Sequence, residues 1–316
     1  GLLLLFAVLV LCFMLMHLAP GDVADTIAQN AGGLDPEVME QIRQDYGLDL
    51  PLWQQMLKYF SSVVLLDLGY SFYYNQPVTT LILEKLPATL LLVISAQVIS
   101  IFLGVLLGVM AACKPNGMTS HFVTVISLVG YAAPVFWTGI MLIILFASII
   151  PLFPIGNMVD VSVEREGFAY VLDVLHHLVL PMLTLGSIFL ALYSRLARAS
   201  MLDVLGSDFV RTARAKGLSE FQVIFKHALR NALLPVVTTA GLAFSGIVSG
   251  AVLVETVFSW PGLGTLAVQA IVARDTPTIL GILFFSSLVV IIANLLTDMV
   301  YRIIDPRIKT SAESQV

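Results

Sequence analysis

Of the 316 residues, 58% are hydrophobic and only 12% are charged, about half the charged share of a soluble domain. With apolar runs of roughly 20 residues, this excludes an ordinary soluble protein and places the chain in the membrane class. The formal net charge of -5 says little, because the two signs are segregated along the chain.

Gly1–Ala19 is an uncharged apolar run containing Cys12. A secretory signal peptide would carry a shorter apolar region, about 7–15 residues, behind a basic leader, so the run reads as a first transmembrane helix. It starts without Met or a basic leader, which predicts that residues precede Gly1. Segment 20–87 is polar and acidic and reads as an extracytoplasmic loop with amphipathic helices. Asp35-Pro36 opens one helix that Gly47 closes. A second follows Pro51 through Trp53, Met56, Leu57 and Phe60. Trp53, Tyr59, Tyr70, Phe72, Tyr73 and Tyr74 suit a membrane interface.

A transmembrane core is expected over 88–304, with spans at Ala88–Cys113, Phe122–Ile150, Leu178–Leu196, Val236–Phe258 and Thr278–Ile304. Counting the first helix, that makes about six crossings. Gly130 and Pro134 lie inside the second of these five, as spans tolerate when neighbours satisfy the freed backbone. Gly241, Gly246 and Gly250 favour close helix packing in the fourth. Pro151–His176 reads as a second acidic loop, with Asp160, Glu164, Glu166 and Asp173 against Arg165. Ser259–Pro277 reads as a connection punctuated by Pro and Gly, and 305–316 as a short basic tail. Cys12 and Cys113 offer no disulfide framework or paired metal spacing and read as small buried hydrophobes.

The long basic segment is Ser207–Pro235, with Arg211, Arg214, Lys216, Lys226 and Arg230 against Asp208 and Glu220. Ser207 or Asp208 can cap a first short helix, and Gly217 supplies the left-handed conformation that ends it. Ser219 and Gln222 fit a capping box that restarts the chain. Phe221, Ile224, Phe225, Ala228 and Ala232 then recur at helical spacing as an apolar face. Such an elbow could bind DNA, lie on anionic lipid, or dock a soluble partner. The apolar spans on both sides tether it to a bilayer and leave partner docking as the reading; nucleic acid is excluded as a partner. By Lys/Arg bias the elbow side is cytoplasmic, sharing Lys114, Arg195, Arg198, Arg302, Arg307 and Lys309. Both termini are then cytoplasmic.

No phosphate loop, metalloprotease motif or serine-hydrolase motif occurs in the chain, so it does not hydrolyse nucleotide by itself. His176 and His177 stand at a loop–span junction and read as a satisfied interfacial pair. Glu255, Asn294 and Asp298 are polar residues within spans and candidates for a translocation path. Interhelical hydrogen bonding or interfacial exposure accounts for them equally well.

Motifs in this order resemble the permease subunits of bacterial binding-protein-dependent ABC importers, in the first-permease type of the dipeptide/oligopeptide/nickel branch. They are H-L-A-P-G-D at His17–Asp22, Y-G-L-D-L-P-L at Tyr46–Leu52, D-L-G-Y-S at Asp67–Ser71, L-P-A-T at Leu86–Thr89 and R-A-S-M-L-D-V at Arg198–Val204. D-F-V-R-T-A-R-A-K-G at Asp208–Gly217, H-A-L-R-N-A-L-L-P at His227–Pro235, E-T-V-F-S-W-P-G-L-G at Glu255–Gly264 and D-P-R-I at Asp305–Ile308 complete the series.

The resemblance implies an all-α integral membrane protein of the type I ABC importer permease fold, in the bacterial plasma membrane. It implies that 197–235 is the coupling loop, contacting a cytoplasmic ATPase through Arg211, Thr212, Ala213, Arg214, Lys216, Gly217, Leu218 and Ser219. The general E-A-A-x-x-x-G pattern is met at Ala213, Gly217 and Leu229, whereas Arg211, Thr212, His227 and Arg230 depart from it. The implied partners are a homologous second permease, two ATPase subunits that bind the ATP and Mg, and an extracytoplasmic binding protein. This chain would hold no cofactor and catalyse nothing. The acidic loop and Trp260, Pro261, Gly262, Leu263 and Gly264 are expected, as an exposed outer face, to meet the binding protein. Peptides are the expected cargo, with nickel or a metal chelate as the alternative. A stand-alone secondary transporter would instead show intramembrane charge pairs or an inverted repeat, and neither stands out.

Overall fold

A computed structural model describes residues 2–18 and 35–304. The tail 305–316 and the start of the acidic loop, 19–34, lie outside the described residues. The chain separates into two compact units, residues 1–89 with 261–292 and residues 90–260 with 293–316.

The first unit begins with α1 (Leu2–Leu18), α2 (Pro36–Tyr46) and α3 (Leu52–Val64). The local signals at α2 act as read. Asp35 is the extended N-cap, Pro36 opens the helix, and Gly47 at φ 70° closes it by donating to Gln44 O. α3 turns Tyr59, Phe60 and Val63 toward the unit's core and leaves Trp53 and Leu57 exposed. A short antiparallel ribbon, β1 (Tyr70–Ser71) with β2 (Gln76–Pro77), follows. The sequence reading did not anticipate it. α4 (Val78–Cys113) then starts ten residues before the expected Ala88 and carries Pro87 inside it. The core collects Leu9, Val63, Val78, Ile82, Leu263, Leu266, Ile282 and Phe285. Asp275, buried at the start of the last helix, accepts the Ser71 hydroxyl at 2.5 Å and the Thr278 hydroxyl at 2.6 Å, pinning the ribbon.

Within Ser259–Pro277, expected as an irregular connection, an eleven-residue helix α10 (Leu263–Ala273) forms after Gly262. Its Leu263, Leu266 and Ala270 are buried at helical spacing, a period that outweighs the Pro and Gly before it.

The second unit holds the rest of α4, then α5 (Met118–Ala132), α6 (Val135–Ile143) with a π-helical turn at Ile144–Ile149, α7 (Gly167–Leu205), α8 (Asp208–Ala215), α9 (Leu229–Val257) and the end of α11 (Thr276–Ile304). The expected single span over Phe122–Ile150 is instead two helices meeting at 109°. Ala133 is extended at ψ 132° before Pro134, since a residue preceding proline is driven out of the helical region. α7 starts at Gly167, inside the expected acidic loop, and runs on through the Arg198–Val204 motif.

Among the described residues three helices, Val78–Cys113, Gly167–Leu205 and Thr276–Thr297, are long and apolar enough to cross a membrane, and the bent pair would make a fourth. The expected spans fall largely on helices where described, but six crossings were expected and length and composition single out three or four. Helix–helix contact in lipid depends on close approach and interhelical hydrogen bonds rather than on the hydrophobic effect. At Gly108 an added Cβ would stand 2.6 Å from Ser194 O, so α4 meets α7 backbone to backbone. Gln97 donates to the Tyr193 hydroxyl and to Ala240 O, both at 3.0 Å, joining α4, α7 and α9. Gly241 lies against the Thr297 side chain, where a Cβ would overlap it.

Candidate functional site

The elbow is built in the second unit by α8, the Gly217 turn and the start of the following helix. Ser207 takes the extended N-cap conformation, but its hydroxyl donates back to Val204 O at 2.5 Å rather than capping α8. Gly217 is left-handed at φ 78° with its N–H on Arg214 O at 2.9 Å. A Cβ there would meet nothing within 4 Å, so glycine is required by backbone conformation and not by space. The capping box forms, with Gln222 N–H on Ser219 Oγ at 3.4 Å and Ser219 N–H on Gln222 Oε1 at 3.3 Å. Arg214 forks onto Glu220 across the turn, Nε to Oε1 at 2.8 Å and Nη2 to Oε2 at 3.4 Å.

The chain then runs as a π-helix over Gln222–Ala228 and continues as α9. The second arm is therefore not a short helix but leads directly into a 29-residue one. The π turn also re-phases the expected apolar face. Its i→i+5 bonding widens the turn, so the buried stripe steps from Val223 to Ala228 and then, in α-helix, to Ala232. These pack with Val109, Ala112, Met201, Val210 and Ala213. Phe221 and Phe225, expected on that face, are 70% and 41% exposed, with ring centroids 4.7 Å apart. Phase was legible only for an unbroken α-helix.

Of the residues expected to contact a partner, Arg211, Thr212, Arg214, Lys216, Gly217 and Ser219 are exposed. Ala213 is buried in the elbow's own core and Leu218 is half-buried against it. Lys226 and Arg230 are also exposed. The elbow thus exposes several basic side chains and an aromatic pair, held on a base of small apolar residues.

The Trp260–Gly264 motif is placed differently from expectation. Trp260 is fully buried, and Gly262, Leu263 and Gly264 are buried, with Pro261 half-buried. Trp260 N–H donates to Glu255 O at 2.8 Å and Leu263 N–H to Thr89 Oγ1 at 2.7 Å. These residues build the fold and offer no exposed face. A Trp beside Pro and Gly read as an outer surface because sequence alone carries no measure of burial. Glu255 is fully buried, while Asn294 is exposed on α11, so the two path candidates occupy unlike environments. The Asp298 side chain lies outside the described residues.

A second polar constellation forms where loop 151–166 meets α7. Asp173 is the hub: it accepts Asp160 N–H at 2.8 Å, is ion-paired with Arg165, and lies 3.5 Å from His177 Nδ1. His176 donates to Leu152 O at 2.8 Å and His177 to Asp173 O at 2.9 Å, so each histidine is hydrogen-bonded. The Ser162 hydroxyl and N–H, both donating to Asp160, hold that carboxyl below the usual carboxylate range, with Arg165 and His177 adding to the effect. Asp173 and His177, four apart, were the available signal; their coupling to Asp160 and Arg165 was not legible in a loop.

Long apolar helices carrying an exposed, glycine-hinged basic elbow define a multi-pass membrane subunit. Residues 104–310 match the family described as binding-protein-dependent transport system inner membrane component, and residues 1–93 match its N-terminal counterpart. The chain belongs to this family of inner-membrane ABC importer permeases. It is 39% identical over 316 residues to the dipeptide transport system permease protein DppB of Escherichia coli K12, covering 95% of this chain and 93% of that protein. It is 38% identical to the oligopeptide transport system permease protein AppB of Bacillus subtilis 168, covering 96% and 95%. Identity reaches 40% with the di/tripeptide transport system permease protein DppB of Pseudomonas aeruginosa UCBPP-PA14, covering 96% and 94%. Among solved structures, the inward-facing MetNI methionine ABC transporter superposes with a TM-score of 0.57 at 15% identity, covering 71% of this chain and 96% of that one. That likeness supports the permease fold.

Proposed function

We propose that this chain is a permease subunit of an ATP-driven importer of short peptides. The observation that carries the reading is near-full-length similarity at 38–40% identity to three permeases named for dipeptide, oligopeptide or di/tripeptide transport. The chain forms one half of the translocation path and pairs with a homologous second permease. Two ATPase subunits bind and hydrolyse the nucleotide with Mg, and an extracytoplasmic binding protein delivers the peptide. The elbow faces the cytoplasm, as do both termini, in keeping with the Lys/Arg bias.

In this reading the elbow is where ATPase movement enters the membrane. Phe221 and Phe225 fill an apolar recess of the ATPase, and Arg211, Lys216 and Lys226 meet acidic groups around it. Aromatic anchors within a charged rim are the arrangement that concentrates binding energy at protein interfaces. Ala213, Val223 and Ala228 keep the elbow rigid behind them. The test is co-purification from detergent-solubilised membranes with wild type and Gly217→Pro, alongside peptide uptake into proteoliposomes of the whole complex. Wild type is expected to retain the second permease and the ATPase, and the variant to lose only the ATPase. Retention of neither by wild type, or ATP-driven uptake of nickel but of no peptide, overturns the reading.

A further inference from the structure

Around the hub at Asp173, loop 151–166 and α7 line an open cavity of about 420 Å³, within the size range of small-molecule sites. Its lining combines apolar Leu152, Phe153 and Pro154 with Asp160, Arg165 and His177. Asp173 is only 4% exposed, and Arg165 is committed to it; Asp160 stands farther from that guanidinium, at 3.7 Å. Two carboxylates therefore share one guanidinium, and Asp160, the more distant and more exposed of the two, is the less fully compensated.

His177 supplies a second, independent feature. Its Nδ1 sits 2.9 Å from a carbonyl oxygen, which only accepts, so Nδ1 carries a proton and, in the neutral imidazole, Nε2 is the acceptor. The side chain is 8% exposed and lines the cavity, yet Nε2 has no partner among the described residues. Buried acceptors are rarely left without a donor. An anionic carboxylate, a buried imidazole acceptor and adjoining apolar side chains complement a cation that donates several N–H groups from an apolar body.

We propose that this cavity binds the amino-terminal ammonium group of a short peptide. Asp160 takes the charge, His177 Nε2 accepts one ammonium N–H, and Leu152, Phe153 and Pro154 hold the first side chain. The assignment rests on the peptide reading above and on the outer placement of the loop, and makes the loop a receiving site for peptide released by the binding protein.

The test uses the full chain in lipid nanodiscs and calorimetric titration with alanyl-phenylalanine and its N-acetylated form. Free peptide is expected to bind, and acetylation to weaken binding at least tenfold. Asp160→Asn, which keeps an acceptor for Ser162, is expected to weaken binding at least fivefold. His177→Phe, which removes Nε2, is expected to do the same. Asp160→Asn on the partly exposed loop guards against a buried His177 variant that does not fold. Equal binding of the two peptides, or no binding by wild type, overturns the proposal. Peptide uptake by the assembled complex separates the failures: uptake without amine-selective binding removes only this site, whereas absence of peptide uptake removes the importer reading with it.

Discussion

The elbow at Ser207–Ala232 and the hub at Asp173 are both charged connections between helices, and they spend their charge in opposite ways. In the elbow the ion pairs are exposed, Arg211–Asp208 at 3.5 Å and Arg214–Glu220 at 2.8 Å, while small apolar residues hold the shape. At the hub a buried carboxylate holds the shape, and its removal strands the groups around it. Exposed pairs contribute little to stability; breaking a buried one is expensive. The elbow's charges are therefore free to serve a partner, whereas Asp173 is fastened to its own loop.

The largest expected effect lies at the hub. Asp173→Ala removes the acceptor for Asp160 N–H and the partner of Arg165, and should destabilise by about 3 kcal/mol, the low end for a broken buried pair because Arg165 is 36% exposed. Denaturant titration in detergent measures it, and a loss smaller than an exposed pair's, about 1 kcal/mol or less, would erase the contrast. Gly217→Ala comes next. With no atom near its Cβ, only the left-handed backbone is penalised, at about 1–2 kcal/mol, and ATPase retention should persist. A clean loss of retention by this variant would mean that the turn itself makes contact.

Arg214→Ala tests the elbow's own pair and should cost under about 1 kcal/mol, read by the same titration. Phe221→Ala and Phe225→Ala should shift stability by no more than about 0.5 kcal/mol, as surface substitutions do, yet reduce ATPase co-purification at least tenfold. An unchanged yield from both would remove the aromatic pair from the interface.

The smallest effect concerns pH. The folded Asp160 carboxyl titrates below its unfolded value, so its contribution is present above the ordinary carboxylate range and is lost only as pH falls through the depressed value. Ser162→Ala should move that titration upward, toward the ordinary range, in the carboxyl carbon shift.

Local hydrogen-bond chemistry made much of the chain legible. The Asp35-Pro36 start, the Gly47 and Gly217 stops and the Ser219–Gln222 box depend on neighbours within a few residues, and each forms. Apolar run length located the long apolar helices, though not their number of crossings, and, with ordered motifs, the family. Features that depend on distant partners were not legible. Pro134 bends a pair of helices by 109° where a single span was expected, and the π turn sends Phe221 and Phe225 outward while Val223 faces in. Trp260 disappears into the interior, and Asp173 gathers Asp160, Arg165 and His177.

The sequence by itself thus determined a membrane chain of this permease family with a glycine-hinged basic elbow, because run length, caps and motif order are properties of neighbouring residues. Tertiary structure alone decided which side chains of those motifs are buried and which are presented. Burial and helix phase are set by whatever packs from far along the chain.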